Sequence, residues 1–165
     1  MSIVLCCMII CCFGRSSPIN MVLLFLFTLC ESWMVAGFTS AYEPKIVCVA
    51  GAATALATIS LTIYAMRTKT NIEVFMAMAF VVYLAMLPLI IIGMIVGLGA
   101  LYTLYCALGL LFYSLYLIID TMMICGGKTS SGYGCSLDDY VIGAMMLYLD
   151  IIMIFIYILR LLGDR

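Results

Sequence analysis

The chain has 165 residues, 68% of them hydrophobic and only 9% charged, where soluble domains run near 25% charged and 45–50% apolar; the composition describes a protein solvated by lipid. A net charge of -1 without any basic tract offers nothing to a nucleic acid. The chain has no histidine, which removes the commonest general base, zinc ligand and pH switch, and with no phosphate loop or metal cluster it points to no enzyme, cofactor or resident metal.

The first apolar run, 1–13, is too short to span a bilayer and reads as the second half of a truncated helix. It has neither the basic start nor the A-x-A site of a signal peptide. Its cysteines, Cys6, Cys7, Cys11 and Cys12, read as packing residues, with acylation as the alternative. "GRSSPIN" (14–20) then breaks the chain and carries Arg15. Five runs of spanning length follow, at roughly 19–38, 46–66, 74–96, 100–124 and 140–162. The expected fold is therefore an all-α integral membrane protein, a multi-pass helical bundle in a single transmembrane domain over 1–165.

The first full run holds Glu31 near Thr28 and Ser32 and ends at "SAYEPK" (40–45). The second, rich in Gly, Ala, Ser and Thr, has the small-xxx-small pairs Gly51/Ala55 and Ala53/Ala57, which predict close helix approach. "MRTKTNIE" (66–73), with Arg67 and Lys69, leads to the third run, and "GLG" (97–99) to the fourth. "GGKTSSGYGCSLDD" (126–139) precedes the last, where Ser136 is a plausible cap and Asp138 and Asp139 suit a first helical turn. Basic residues favour the first, third and fifth loops (Arg15, Arg67, Lys69, Lys128) over the second and fourth (Lys45 alone), so the first group is expected on the cytosolic side. Arg160 and Arg165 would then emerge on the far side, which argues for a re-entrant last run or for snorkelling arginines. The nine cysteines form no C-x-x-C, and the 14 methionines are spread as core filler.

Three acids fall inside the spans: Glu31, Asp120 and Asp150. A charged acid at the bilayer centre costs roughly 2.5–3.5 kcal/mol on insertion scales. Asp120 and Asp150 stand on consecutive helices and can face each other, where two carboxyls share a proton and titrate as a unit. Deprotonated, they would suit a hard cation such as Ca²⁺. At 1.5 Å per residue Asp120 lies about 7–8 Å from the end of its run and Asp150 about 15 Å from the start of its own, leaving about 7 Å for tilt or loop to absorb. Tyr113, Tyr116 and Asp120 fall on one helical face, which could bond the acid or line a wet cavity. The plainer readings are a snorkelling Asp120 and a protonated Asp150 bonded to a backbone carbonyl.

"LIIDTMMICGGK" resembles the sixth-helix signature of the transmembrane BAX-inhibitor-motif family, lifeguard branch, with Ile119 and Met122 where Tyr and Gln are common. "SLDDYVIGAMMLYLDIIMIFIYILRLLG" is similar to the family's last segment, and "SPINMVLLFLFTLCESWMVAGFTSAYEP" to its third helix and following loop. The resemblance implies a seven-helix fold, six helices around a short, largely buried last one, with the first helix and part of the second missing here. It also implies proteins of internal membranes, endoplasmic reticulum or Golgi, with the plasma membrane as the alternative, that restrain cell death and lower stored Ca²⁺, some as pH-sensitive Ca²⁺ leak channels. On that resemblance Asp120 and Asp150 match a paired-aspartate sensor and Arg15 is the nearest match to an associated basic residue. Two other functions fit the same residues. One is a non-conducting protein that binds anti-apoptotic or Ca²⁺-channel partners in the membrane. The other is an intramembrane aspartyl protease, disfavoured because Leu147, Tyr148 and Leu149 precede Asp150 where Gly-x-Gly is expected.

Overall fold

A computed structural model describes residues 19–96, 99–125 and 140–163, and every element among them is helical. Five helices follow in order: α1 (Ile19–Thr39), α2 (Pro44–Arg67), α3 (Ile72–Val96), α4 (Gly99–Ile124) and α5 (Tyr140–Gly163). Each boundary lies within two residues of the one read from the sequence. The run 1–13, Arg15, the segment 126–139 with Lys128 and Ser136, and Arg165 lie outside the described residues.

Four helices contain stretches long and apolar enough to cross a membrane: Pro44–Arg67, Ile72–Gly93, Leu101–Ile124 and Ile142–Gly163. α1 adds a shorter apolar stretch, Leu24–Thr39. The chain is an integral membrane protein. Several of its hydroxyls are accommodated inside the helices that bear them, although Thr58 Oγ1 of α2 is buried without a partner. Thr54, Ser60, Ser114 and Thr121 each donate to the carbonyl four residues back, at 2.7–2.8 Å, so no hydroxyl among these faces hydrocarbon unpaired. Pro44 opens α2 from an extended Glu43, and Thr68, also extended, closes it by donating its N–H to the Tyr64 carbonyl. Pro88 lies inside α3, a position spanning helices tolerate better than soluble ones.

α4 and α5 form the centre. They pack against each other and both against α2; α3 lies on α4, and α1 on α5. Ala65 of α2, Ile72, Phe75 and Ala79 of α3, and Leu115, Ile118, Ile119 and Met122 of α4 make one buried cluster. Phe27 of α1 and Met145 of α5 make a smaller one. A backbone approach fixes α4 on α5: a Cβ at Gly109 would overlap the Tyr157 ring.

Two expectations need correction. The pair Gly51/Ala55 does not mediate packing: a Cβ at Gly51 would meet nothing within 4 Å, and Ala55 is exposed. The buried small residues are Ala50 and Thr54, one position earlier. A helix with small residues on several faces does not declare which face meets a neighbour. Secondly, the last segment is neither short nor broken. α5 runs without interruption for 24 residues, and Arg160 near its end rests its guanidinium 5.8 Å from the Phe38 ring centroid and 5.8 Å from that of Tyr157. The aromatic faces hold the cation at the end of a spanning helix, as snorkelling would.

Candidate functional site

The site begins with the register of two antiparallel helices. Gly143, three residues into α5, lies against the Ile124 side chain, where an added Cβ would stand 3.2 Å from Cγ1 and Cδ1. α5 therefore starts beyond the end of α4. From this contact Asp120 is four residues back and Asp150 seven on, a remaining offset of three residues or about 4.5 Å. This shift is what reduces the 7 Å mismatch expected from the run ends, and side chains span the rest.

Asp120 and Asp150 meet. Both are buried, 7% and 5% exposed, and a hydrogen bond joins their side chains. Two carboxyl groups can share such a bond only with a proton between them. Asp150 Oδ2 is buried without a hydrogen-bond partner. Neither plainer reading fits: Asp120 does not snorkel, and Asp150 bonds a carboxyl. Thr121, next to Asp120, turns its hydroxyl to the Leu117 carbonyl at 2.7 Å. Ile119 and Met122, the departures from the family signature, lie in the apolar cluster against α2 and α3.

The two tyrosines separate. Helical geometry puts Tyr113 about 20° to one side of Asp120 and Tyr116 about 40° to the other. Tyr113 lies near Asp150, and its ring lies 5.7 Å from that of Tyr157. Tyr116 packs on Phe112 with ring centroids 4.7 Å apart and planes tilted by 51°, and lines a cavity between α3 and α4. Only Tyr113 joins the acids. Glu31 is buried in α1, 3% exposed, but the hydroxyls expected to serve it do not. Thr28 donates to the Leu24 carbonyl at 2.8 Å and Ser32 to the Thr28 carbonyl at 2.7 Å. Arg15 lies outside the described residues, so its part rests on resemblance alone.

The sequence did not single out Tyr105 and Tyr157, whose hydroxyls are 3.5 Å apart. They extend the site along the α4–α5 seam, from the acids past Tyr113 toward Arg160. The available signal was the spacing Tyr102, Tyr105, Gly109, Tyr113 on one face of α4, with glycine marking where a ring from α5 must fit.

A family model described as "Inhibitor of apoptosis-promoting Bax1" matches residues 1–165. Among curated proteins the chain is similar to human protein lifeguard 3, 35% identical over 161 residues, covering 94% of this chain and 51% of that protein. The mouse protein lifeguard 3 is 32% identical over 161 residues, with the same coverage. The Golgi anti-apoptotic protein of vaccinia virus (strain Lister) is 29% identical over 145 residues, 88% of this chain and 58% of that protein. The chain thus spans about half the length of the curated lifeguard proteins it matches.

Proposed function

The chain belongs to the family of inhibitors of apoptosis-promoting Bax1, the Bax inhibitor or lifeguard proteins, and on that premise we propose that it is a proton-sensitive Ca²⁺ leak pathway of a Golgi or endoplasmic reticulum membrane that restrains apoptosis. The observation that supports this most is the buried Asp120–Asp150 pair with its unbonded Asp150 oxygen. Protonated, the pair ties α4 to α5 through one hydrogen bond. Deprotonated, it holds two like charges in a poorly screened place, which repel each other or recruit a hard cation. The vaccinia relative's name speaks for the Golgi and for protection against apoptosis.

Ca²⁺ release from loaded liposomes, followed between about pH 5 and 8, tests the reading. A chain without histidine has no unperturbed side chain that changes charge in this window, so pH dependence there requires a group shifted by burial or by a neighbour. Asp120→Asn and Asp150→Asn should each flatten the profile, and the double variant should add little to either, because the pair acts as a unit. An unchanged profile in both single variants refutes the sensor.

A second reading is a non-conducting protein that binds anti-apoptotic or Ca²⁺-channel partners in the membrane. It draws on α2 and α3, whose large exposed side chains, Leu56, Ile59, Phe80 and Val81 among them, suit a partner helix as well as lipid. Pure liposomes separate the two, since only the first gives flux without partners.

A further inference from the structure

Three helix ends and one turn meet at the end of the bundle that carries Arg160. Phe38 stands one residue from the end of α1, Tyr102 three residues into α4, and Arg160 three residues from the end of α5. Tyr42 comes from the turn after α1, and its ring lies on Gly163, where a Cβ would overlap it. Tyr102 lies near both Tyr42 and Arg160. The half-buried Arg160 is thus set among rings, its guanidinium 5.8 Å from the centroids of Phe38 and of Tyr157.

Aromatic faces attract a cation but accept none of the five N–H donors of a guanidinium. Among the described residues no carboxylate pairs with Arg160, and none accepts a hydrogen bond from it; Asp164 and Arg165 lie outside them. Depth identifies the acceptor. The 24 residues of α5 make a rod of about 36 Å across a hydrocarbon layer of about 30 Å, so its end stands about 3 Å beyond the hydrocarbon. Arg160, about 4.5 Å short of that end, sits at the boundary, and its long side chain reaches the headgroups. The anionic groups of that layer are phosphates.

We propose that Arg160, held by the aromatic cluster around it, binds the phosphate of an anionic phospholipid in the leaflet opposite to Arg67 and Lys69. The fork of the guanidinium matches two phosphate oxygens at once, and the rings of Phe38 and Tyr157 fix it in place before the lipid arrives. A lipid of net negative charge is favoured over a zwitterionic one, because the cluster carries a cation and no described acid. A free phosphate ion offers the same oxygens but has no acyl chains to hold it at this depth. The proposal does not depend on the leak reading.

The test is native mass spectrometry of the full chain, released from detergent micelles that contain dioleoylphosphatidylglycerol and dioleoylphosphatidylcholine in equal amounts. The phosphatidylglycerol adduct should predominate. Arg160→Gln should weaken it about tenfold or more, the loss expected for a charged hydrogen-bonding pair. Arg160→Lys, which keeps the charge but not the fork, should weaken it about threefold or more. Circular dichroism checks that each variant keeps its helices. Arg67→Gln together with Lys69→Gln, at the opposite end of the bundle, should leave the first bound lipid in place. The proposal is overturned if folded Arg160→Gln or Arg160→Lys protein binds the lipid like the unaltered chain. It is equally overturned if the Arg67 and Lys69 changes remove the adduct to the same extent, or if excess inorganic phosphate displaces the lipid.

Discussion

Replacing Gly109 with alanine probes the closest approach in the centre of the bundle. The added methyl would stand 2.9 Å from Tyr157 Cδ1 and closer still to Cε1 and Cζ, where carbon atoms normally rest at about 3.5–4.0 Å. The ring would have to move by about 1 Å. It is hemmed in by Tyr105 on one side and Tyr113 on the other, at centroid distances of 6.2 Å and 5.7 Å. Moving it also gives up the contact between the Tyr105 and Tyr157 hydroxyls. Overpacking costs roughly 1–3 kcal/mol and a lost hydrogen bond about 1 kcal/mol, so Gly109→Ala should destabilise by about 2–4 kcal/mol. Reversible unfolding in mixed detergent micelles, against the unaltered chain, measures it. Tyr157→Leu in the same background should recover part of the loss, since the ring is the obstacle, and the two changes should be non-additive by about 1 kcal/mol or more. A Gly109→Ala protein as stable as the unaltered one, within about 0.5 kcal/mol, would refute the close approach.

On α2, Gly51→Leu should be nearly neutral, within about 0.5 kcal/mol, while Ala50→Leu should cost about 1–3 kcal/mol by overpacking, read in the same unfolding assay. Glu31→Gln should leave the pH profile of Ca²⁺ release intact, and profile loss with Glu31→Gln but not with Asp150→Asn would move the sensor to α1. If either tyrosine affects that profile it should be Tyr113, which lies near Asp150, rather than Tyr116, which lines the α3–α4 cavity; an effect of Tyr116→Phe without one of Tyr113→Phe would contradict their separation. Cysteines introduced at 43 and at 70, at opposite ends of α2, should be labelled from opposite sides of the membrane, with 70 cytosolic. Labelling of both from one side would exclude the topology.

The helices and the acid pair were legible for the same reason. In a lipid-solvated chain a run of about 20 apolar residues can be little other than a spanning helix, and an acid inside one stands out at once. What faces what was much less legible. Lipid and protein interior are alike apolar, so hydropathy gives no contrast between Ala50, which is buried, and Gly51, which meets open space. Tyrosine defeats the same kind of reasoning. Tyr116 and Tyr113 share a helical face with Asp120 by spacing, yet a rotation of about 60° sends one to an outer cavity and the other to the acids. In the sequence Tyr157 is one more aromatic in an apolar run; only its place against Gly109 sets it apart.

The main packing of α1 among the described helices is with α5, through Phe27 and Tyr148, with ring centroids 6.2 Å apart, and through Arg160 over Phe38. Every other described helix meets at least one besides α5, or lies on α4 within the larger cluster. Local opening begins where the fewest buried contacts must break, so α1 is the first cooperative unit to come away. Its release uncovers Glu31 and Met145 while the α2–α3–α4 cluster stays assembled. In hydrogen exchange its amides should be the least protected of the five described helices, below those of α4.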